Sequence, residues 1–535
     1  MMRFTGNSPE GHQAARSLSE SAALIRSLKG LPGENELSSA WSVIETHISW
    51  VLFNEQYAYK IKKPVKLNFL DFSTLERREF FCREELRLNR RLAPELYLDV
   101  VPITGTNHHP QFGGTGTPIE FAVKMASFSQ EALLGRKLMQ QRLSPRHIDE
   151  LAQLVAEFHS KIEVVTEDAS LGTPESIRQL LEETFQSIIT RTNAGRRRAQ
   201  IERLRAWCQR EFDRRQDDFR DRKRHGFVRE CHGDMHLGNM VLIDDSPVVF
   251  DGIEFNATFR WIDVMSEIAF VAMDLEDRGR PDLAHRFVNL YLELTGDYAG
   301  LNVLPFYLTY RALVRAKVDL IRLGQDDVRP DEENRLVREF GGYLDQAERH
   351  IDRPWLAITH GLSGSGKTSG TQPLIESHGA IRIRSDIERK RIRGLYDSCR
   401  GFRQTDEDIY TEQTNRDTYE RLLDLAETIL SAGFPVIVDA TFLRWADRDC
   451  FRQMAIDRKV PFALLAFEAD ERTLRERIAH RIAEGRDASD ANQHVLTSQL
   501  QKQEPLSNEE REAAIVIVEG LPISTDRLVK EFERR

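Results

Sequence analysis

Cysteine is scarce in this chain. Five among 535 residues (Cys82, Cys208, Cys231, Cys399 and Cys450) are odd in number and scattered, with no CxxC pair or Cys/His cluster at ligand spacing. Neither a disulfide framework nor a structural zinc site organises such a sequence. No uninterrupted apolar run is long enough to span a bilayer, and the opening MMRFTGNSPEGHQAARSLSES lacks the apolar core of a signal peptide, so the expected location is the cytoplasm. Positive charge is not in excess either. The formal net charge is −10 at pH 7, and both halves about Trp355 are mildly acidic, which argues against non-specific binding to nucleic acid or an anionic membrane. Fixed-period repeats and low-complexity tracts are absent. What remains, 40% hydrophobic and 30% charged residues, is ordinary globular composition, and the length calls for two or more domains.

Residues 1–38 read as a polar tail and one short helix, SESAALIRSLKG, stopped by Gly30 and Pro32. From Trp41 to Lys62, SVIETHIS, WVLF and YAYKIK are strand-like. A helix follows, opened by Ser73-Thr74-Leu75-Glu76 as a capping box, with Leu75, Phe81, Leu88 and Leu92 on its inner face and Pro94 beyond its end. Another strand pair brackets the turn GGTG, with Ile119 to Met125 as its second member. After Gln130 the pattern is mostly helical. The arginines and acids of Arg191 to Arg224 read as a solvated helix laced with ion pairs rather than an RNA-binding face. GQDDVRPDEEN reads as a polar loop, and Asp352-Arg353-Pro354 as the junction between domains at 39–350 and 354–535.

The most specific local signal lies beyond that junction. The strand WLAITH runs into Gly361-Leu362-Ser363-Gly364-Ser365-Gly366-Lys367-Thr368, a complete G-x-x-x-x-G-K-[ST]. Its glycines let successive backbone N–H groups, those of Ser363 and Ser365 included, converge on a phosphate at the positive end of the next helix. Lys367 can reach the β/γ-phosphates, and the Thr368 hydroxyl can ligate magnesium. Pro435-Val436-Ile437-Val438-Asp439 reads as a buried strand ending in an acid. Asp439 is either a magnesium-site carboxylate or a turn cap.

In the first half, His232-Gly233-Asp234-Met235-His236-Leu237-Gly238-Asn239 precedes Val248-Val249-Phe250-Asp251. The first aspartate, the asparagine and the second aspartate are spaced as in protein-kinase-like catalytic loops. Asn239 and Asp251 offer hard oxygen ligands for magnesium, and Asp234 can orient an acceptor hydroxyl and take its proton. Tyr57-Ala58-Tyr59-Lys60 loosely fits the lysine-bearing strand of such enzymes. Lys60 is the favoured phosphate lysine, with Lys62, on the same strand face, the alternative. Glu85 is the expected partner in preference to Glu84, and Glu254 is a further candidate near the metal. The expected glycine-rich turn is missing, because ETHISWVLF contains no glycine.

By its H-G-D-x-H-x-x-N form the chain resembles the aminoglycoside phosphotransferase and choline kinase group, and the resemblance runs from about Val43 to Ala316. That resemblance implies an α+β protein-kinase-like N-terminal domain that binds ATP and magnesium. From Pro354 to Leu506 the chain resembles small P-loop kinases, gluconate kinase-like, polynucleotide kinase-like and zeta-toxin-like. This implies an α/β P-loop NTPase domain with a mainly parallel sheet. By the same resemblance Asp386, in Ile383-Arg384-Ser385-Asp386, is the general base and Arg389 a substrate-side contact. Arg477 and Arg481, one turn apart on a lid helix from Thr473 to Gly485, either close over the transferring phosphoryl group or are surface arginines paired with Glu476 and Glu484. The pairing of halves resembles bifunctional aminoglycoside phosphotransferase/ATP-binding proteins. It implies two sites that each move the ATP γ-phosphoryl group to a hydroxyl of a small molecule. Two other readings are a nucleotide sensor whose kinase-like half is a binding module, and a P-loop half acting on nucleic-acid 5′ ends. No motif in the segment from Ser144 to Arg224, where an acceptor would be chosen, names one.

Overall fold

The structure, a computed structural model, describes residues 17–31, 41–67, 69–192, 197–325, 328–348, 354–397, 401–402, 411–484 and 492–517. The chain divides into two compact units, residues 1–140 with 232–260, and residues 141–231 with 261–535. This differs from a division at Asp352-Arg353-Pro354, where Asp352 and Arg353 lie outside the described residues. The helical part of the first half groups with the P-loop half instead. Among the described residues no helix is long and apolar enough to cross a membrane.

In the first unit, β1 (Ser42–Glu45), β2 (Ser49–Phe53), β3 (Tyr57–Lys62), β4 (Tyr97–Gly105), β5 (Pro110–Phe112) and β6 (Glu120–Ala126) form a sheet in the order β1-β2-β3-β6-β4-β5. Every pairing in it is antiparallel. Helix α1 (Leu18–Lys29) starts with a Ser17–Glu20 capping box and buries Leu24 and Leu28 with Trp41, Trp50 and Tyr59. The short helix expected in a detached tail is thus part of this core. Helix α2 (Leu75–Asn89) is capped by Thr74, which accepts from Arg77 N–H; with arginine at the third position the box is not reciprocal. Its buried residues are Arg78, Cys82, Glu85, Leu88 and Asn89, whereas Phe81 is half-buried. A helix face that buries two charged groups and an amide needs partners for them. Further on, β7 (Met240–Ile243) and β8 (Ser246–Val249) make a hairpin turned by Asp244 and Asp245, both at positive φ. That hairpin sets Asn239 at its start and Asp251 just past its end.

The second unit begins with helices, among them α3 (Pro145–Lys161), α4 (Val264–Asp277), α5 (Pro281–Thr295), α6 (Leu304–Leu323) and α7 (Pro330–Ala347). The arginine-rich helices at Arg197–Arg214 and Gln216–Arg224 carry exposed ion pairs, such as Arg198–Glu202 and Arg205–Glu182, as their pattern predicts. The second part of the stretch read as a polar loop, from Pro330, is instead a helix start, with Pro330 in the first turn of α7 followed by Asp331, Glu332 and Glu333. Strands β9 (Leu356–His360), β10 (Ile381–Arg384), β11 (Val436–Asp439), β12 (Phe462–Phe467) and β13 (Ile515–Ile517) make a wholly parallel sheet in the order β10-β11-β9-β12-β13. With it go α8 (Lys367–His378), α9 (Ser385–Ile392) and α10 (Glu471–Glu484). Helix α5 packs against both α3 and α8, which is why the helical part and the P-loop half form one unit.

Arg222 is the exception among the solvated arginines. Its guanidinium is buried and donates to Asp263 at 2.7 and 2.9 Å and to Asp297 at 2.8 Å twice. Asp263 also caps α4 through Met265 N–H. Removing the guanidinium strands two buried carboxylates. Arg222→Ala is therefore expected to lower the unfolding free energy by about 3–5 kcal/mol, read as a lower denaturant midpoint at unchanged slope.

Candidate active sites

Strand alternation sends Tyr59 and Ile61 of β3 into the sheet's core and Lys60 and Lys62 to the other face, towards α2. There Glu85 meets both. Lys60 Nζ donates to Glu85 Oε1 at 2.8 Å and Lys62 Nζ to Oε2 at 2.7 Å. The two lysines differ in their second partners, since Lys60 also reaches Asp251 Oδ1 at 2.5 Å and Lys62 pairs with Glu254. The result is a row of alternating charge, Asp251, Lys60, Glu85, Lys62, Glu254. It is open at one end, where the Asp251 side chain is 42% exposed and Lys60 12%, and closed in the middle, where Glu85 is fully buried. Burial pushes the Glu85 carboxyl up, but the two ammonium groups outweigh it and hold it at about 2. Burial dominates at Glu254 and raises it. Glu84 lies outside this row and pairs with Arg87 and Arg260.

The His232–Asn239 loop lies against the open end, with Asn239 O accepting from Phe250 N–H at 2.9 Å. Asn239 Nδ2 donates to Asp234 Oδ2 at 2.9 Å and to its carbonyl at 3.0 Å, and Asp234 remains 36% exposed. His232 Nε2 donates to Phe250 O at 2.9 Å while its Nδ1 accepts from Asp234 N–H at 3.3 Å, which ties the loop to the residue before Asp251. Asp251 itself sits at φ 64°, a left-handed conformation costing roughly 1 kcal/mol for a residue with a Cβ. Two neighbours hold it there: Tyr97 Oη accepts from Asp251 N–H at 3.1 Å, and Asn89 Oδ1 accepts from Gly252 N–H at 2.8 Å. Asn89, one turn beyond Glu85 on the buried face of α2, was readable from helix periodicity. Tyr97 and His232 as anchors were not. At the β1–β2 turn, Thr46 Oγ1 accepts from Ser49 N–H at 2.9 Å and Ile48 N–H at 3.3 Å, so a hydroxyl shapes the turn that lacks glycine.

In the second unit β9 delivers the chain into the P-loop, whose Gly361, Gly364 and Gly366 have φ of 150°, 84° and 89°. A Cβ on Gly361 would stand 2.5 Å from Phe467 O, so the close approach itself requires glycine there. Lys367 Nζ donates to Gly361 O at 3.0 Å and Leu362 O at 2.9 Å. Thr368 Oγ1 donates to Asp439 Oδ2 at 2.6 Å, which joins the first turn of α8 to the end of β11. Ser363 is held from both sides by Gln499, through its N–H at 2.9 Å and its Oγ at 3.0 Å. The buried Ser365 hydroxyl has no hydrogen-bond partner among the described residues, a spare donor inside the loop. Arg477 of α10 donates to Gly364 O at 3.2 Å; the side chain of Arg481 lies outside the described residues. Asp386 lies in the first turn of α9, 3.2 Å from Arg389 Nη1, and Arg389 Nη2 reaches Asn415 Oδ1 at 3.1 Å. Gln499 and Asn415 carry no sequence signal.

Both sites present hard oxygens suited to a divalent cation, Asn239 and Asp251 in one, Thr368 and Asp439 in the other. A third cluster, His159, Cys231 and Glu267, has ligand atoms near one another although its residues are far apart in sequence. Its imidazole is already used on both nitrogens, by Tyr291 Oη at 2.9 Å and Glu267 at 3.0 Å, so it serves as a buried hydrogen-bond network.

Residues 76–304 match the sequence profile of the phosphotransferase enzyme family, and residues 356–506 that of the AAA domain. An uncharacterized protein of Mycobacterium tuberculosis and one of Mycobacterium bovis are each 29% identical over 454 residues, 84% of this chain and 87% of theirs. Among solved structures, a choline/ethanolamine kinase family protein from Mesorhizobium loti is similar at 10% identity and a TM-score of 0.37, over 62% of this chain and 99% of that one. A gluconokinase from Sinorhizobium meliloti is similar at 24% identity and a TM-score of 0.22, over 34% of this chain and 90% of that one.

The Glu85 pairing has a titration signature. Because its carboxyl is held below the ordinary value of 4.5, its stabilising contribution is complete above about 4.5 and is lost as pH falls through about 2. The unfolding free energy of the wild type should fall across that window, and that of Glu85→Gln should be flatter there.

Proposed function

From a chain that carries a phosphotransferase-family domain and a P-loop kinase-like domain, we propose that each domain transfers the γ-phosphoryl group of ATP to a hydroxyl of a small molecule. The observation that supports this is common to both sites, a lysine held on oxygens close to a hard-oxygen pair: Lys60 on Asp251 in the first, and in the second Lys367 on two P-loop carbonyls, next in sequence to Thr368, whose hydroxyl donates to Asp439.

In the first site Lys60 exchanges the Asp251 carboxylate for phosphate oxygens, while Glu85, fixed from behind by Lys62, sets where the Lys60 ammonium points. Asn239 and Asp251 would hold magnesium. Asp234 orients the acceptor hydroxyl and takes its proton. In the second site Lys367 gives up two loop carbonyls for phosphate, and the loop N–H groups and the N-terminus of α8 cradle it. Thr368 and Asp439 would hold magnesium. Asp386 takes the acceptor proton, Arg389 faces the acceptor, and Arg477, with Arg481 on the same helix, adds positive charge where the phosphoryl group moves. Bound magnesium supplies neutralisation of the phosphate oxygens in both. The turn without glycine between β1 and β2 favours a second reading for the first domain alone, as a nucleotide-binding module.

Magnesium-dependent ATP consumption in the presence of a metabolite extract separates these. Asp234→Ala should lower the share due to the first site by about 10²- to 10⁴-fold with nucleotide binding retained. Lys367→Ala should remove the share due to the second. Phosphorylated species seen by mass spectrometry should vanish in one variant or the other. If Asp234→Ala leaves every species and the total consumption unchanged, the first domain is a binding module. Label transferred to an oligonucleotide 5′ end and lost in Lys367→Ala would replace the small-molecule acceptor of the second.

A further inference from the structure

The geometry points to helix α5, in the helical part that precedes the P-loop half, as a positioning element of the second site, acting through Glu293 and Arg382. This inference rests on reading that site as an ATP-using kinase.

Contacts from four residues of α5, His285, Arg286, Asn289 and Glu293, carry it. Strand β10 lies at the edge of the parallel sheet, where a backbone N–H needs a partner from elsewhere. Asn289 Oδ1 of α5 accepts the N–H of Arg382 at 2.7 Å. One turn further along α5, Glu293 gathers four donors from the segment that carries Asp386. Its carboxylate faces Arg384 Nη1 at 3.1 Å and Arg382 Nη2 at 3.9 Å, and its carbonyl accepts from Arg391 Nη2 at 2.8 Å and Tyr396 Oη at 3.3 Å. The far end of α8, the helix whose N-terminus faces the P-loop, is also gripped by α5. His285 Nδ1 donates to Glu376 O at 2.9 Å and Arg286 Nη1 to Glu376 Oε1 at 2.7 Å, and Arg286 is in turn held by Asp149 of α3.

Arg382 closes the circuit. Its Nη1 donates to Thr368 O at 2.7 Å and to Thr371 Oγ1 at 3.3 Å, directly beneath the hydroxyl that meets Asp439. Among the described residues Glu293 Oε2 and Arg382 Nε have no hydrogen-bond partner, so Glu293 and Arg382 attract by charge across 3.9 Å, with side chains only 8% and 7% exposed. Solvent screens such a pair little. The threonine offered to magnesium is therefore set by a carboxylate from outside the P-loop half. Arg382 and Glu293 are positioning residues for it.

The test uses the full chain with Asp234→Ala silencing the first site, and reads ATP turnover against magnesium concentration. Glu293→Gln keeps the shape and removes the charge; Arg382→Ala removes the link. Each should lower kcat/KM by about 10- to 100-fold and raise the magnesium concentration for half-maximal rate. The double variant should be no worse than Arg382→Ala, because both act through one path. A protein that is merely less stable would keep the parent's magnesium dependence at reduced amplitude, and that result in both variants overturns the inference. If Lys367→Ala leaves turnover intact, the kinase reading itself falls and takes this with it. If Lys367→Ala abolishes turnover while Glu293→Gln and Arg382→Ala match the parent, only the positioning role falls.

Discussion

A carboxylate with no solvent exposure has to be neutralised by something just as buried, and Glu85 meets that demand with two lysines from one strand. An isolated ionised carboxylate at that depth would be several kilocalories per mole too costly to keep. The constraint reaches outward. β3 must present lysines at alternate positions, α2 must lie across that face, and each lysine needs a second acid to balance its charge. Asp251 and Glu254, three positions apart in a single loop, supply those acids. The loop's own strain at Asp251 is then tolerable because Tyr97 and Asn89 fix its backbone from the same sheet and the same helix. One buried charge thus explains the orientation of a strand, a helix and the loop that carries Asp251.

The second site solves the same electrostatic problem with backbone rather than side chains. Lys367 is held by two carbonyls, and Thr368 by a carboxylate at the end of the neighbouring strand. In both sites the groups that would meet phosphate are already oriented by partners of opposite polarity. For these groups to take up phosphate requires an exchange of partners rather than a search for conformation, the kind of preorganisation that favours stabilising charge. The sites differ in how they tolerate unusual backbone. Three glycines do it in the P-loop, whereas an aspartate at positive φ does it beside the first domain's hairpin.

Much of this was legible along the chain wherever chemistry and local period coincide. The P-loop lies between a strand and a helix, the two aspartates and the asparagine are divided by a tight hairpin, and Glu85 rather than Glu84 faces inward. The sequence pattern favours Lys60 and keeps Lys62 as the alternative because strand alternation puts both on one face, and the fold uses both, each on Glu85. Arg222 read as one more solvated arginine because nothing local marks its partners, which stand 41 and 75 positions away. Pro330 was misplaced in a loop because its neighbours are acidic, although acids after a proline are also what a helix N-terminus favours.

The junction before Trp355 shows why a boundary in composition need not be a boundary in packing. Sequence sees a polar stretch and a new apolar strand, and from these a tether is the natural inference, with proximity of the two halves set by linker length. Packing is decided instead by α5, whose residues contact both α3 and α8. Edge strand β10 has an N–H that its own sheet does not satisfy, and leaving it buried without a partner would cost about 1–3 kcal/mol. Asn289 removes that cost from outside the P-loop half. A half that depends on another for a strand-edge hydrogen bond and for the charge opposite Arg382 has given up independence in return for a fixed scaffold. Fusion in this chain is therefore structural before it is kinetic.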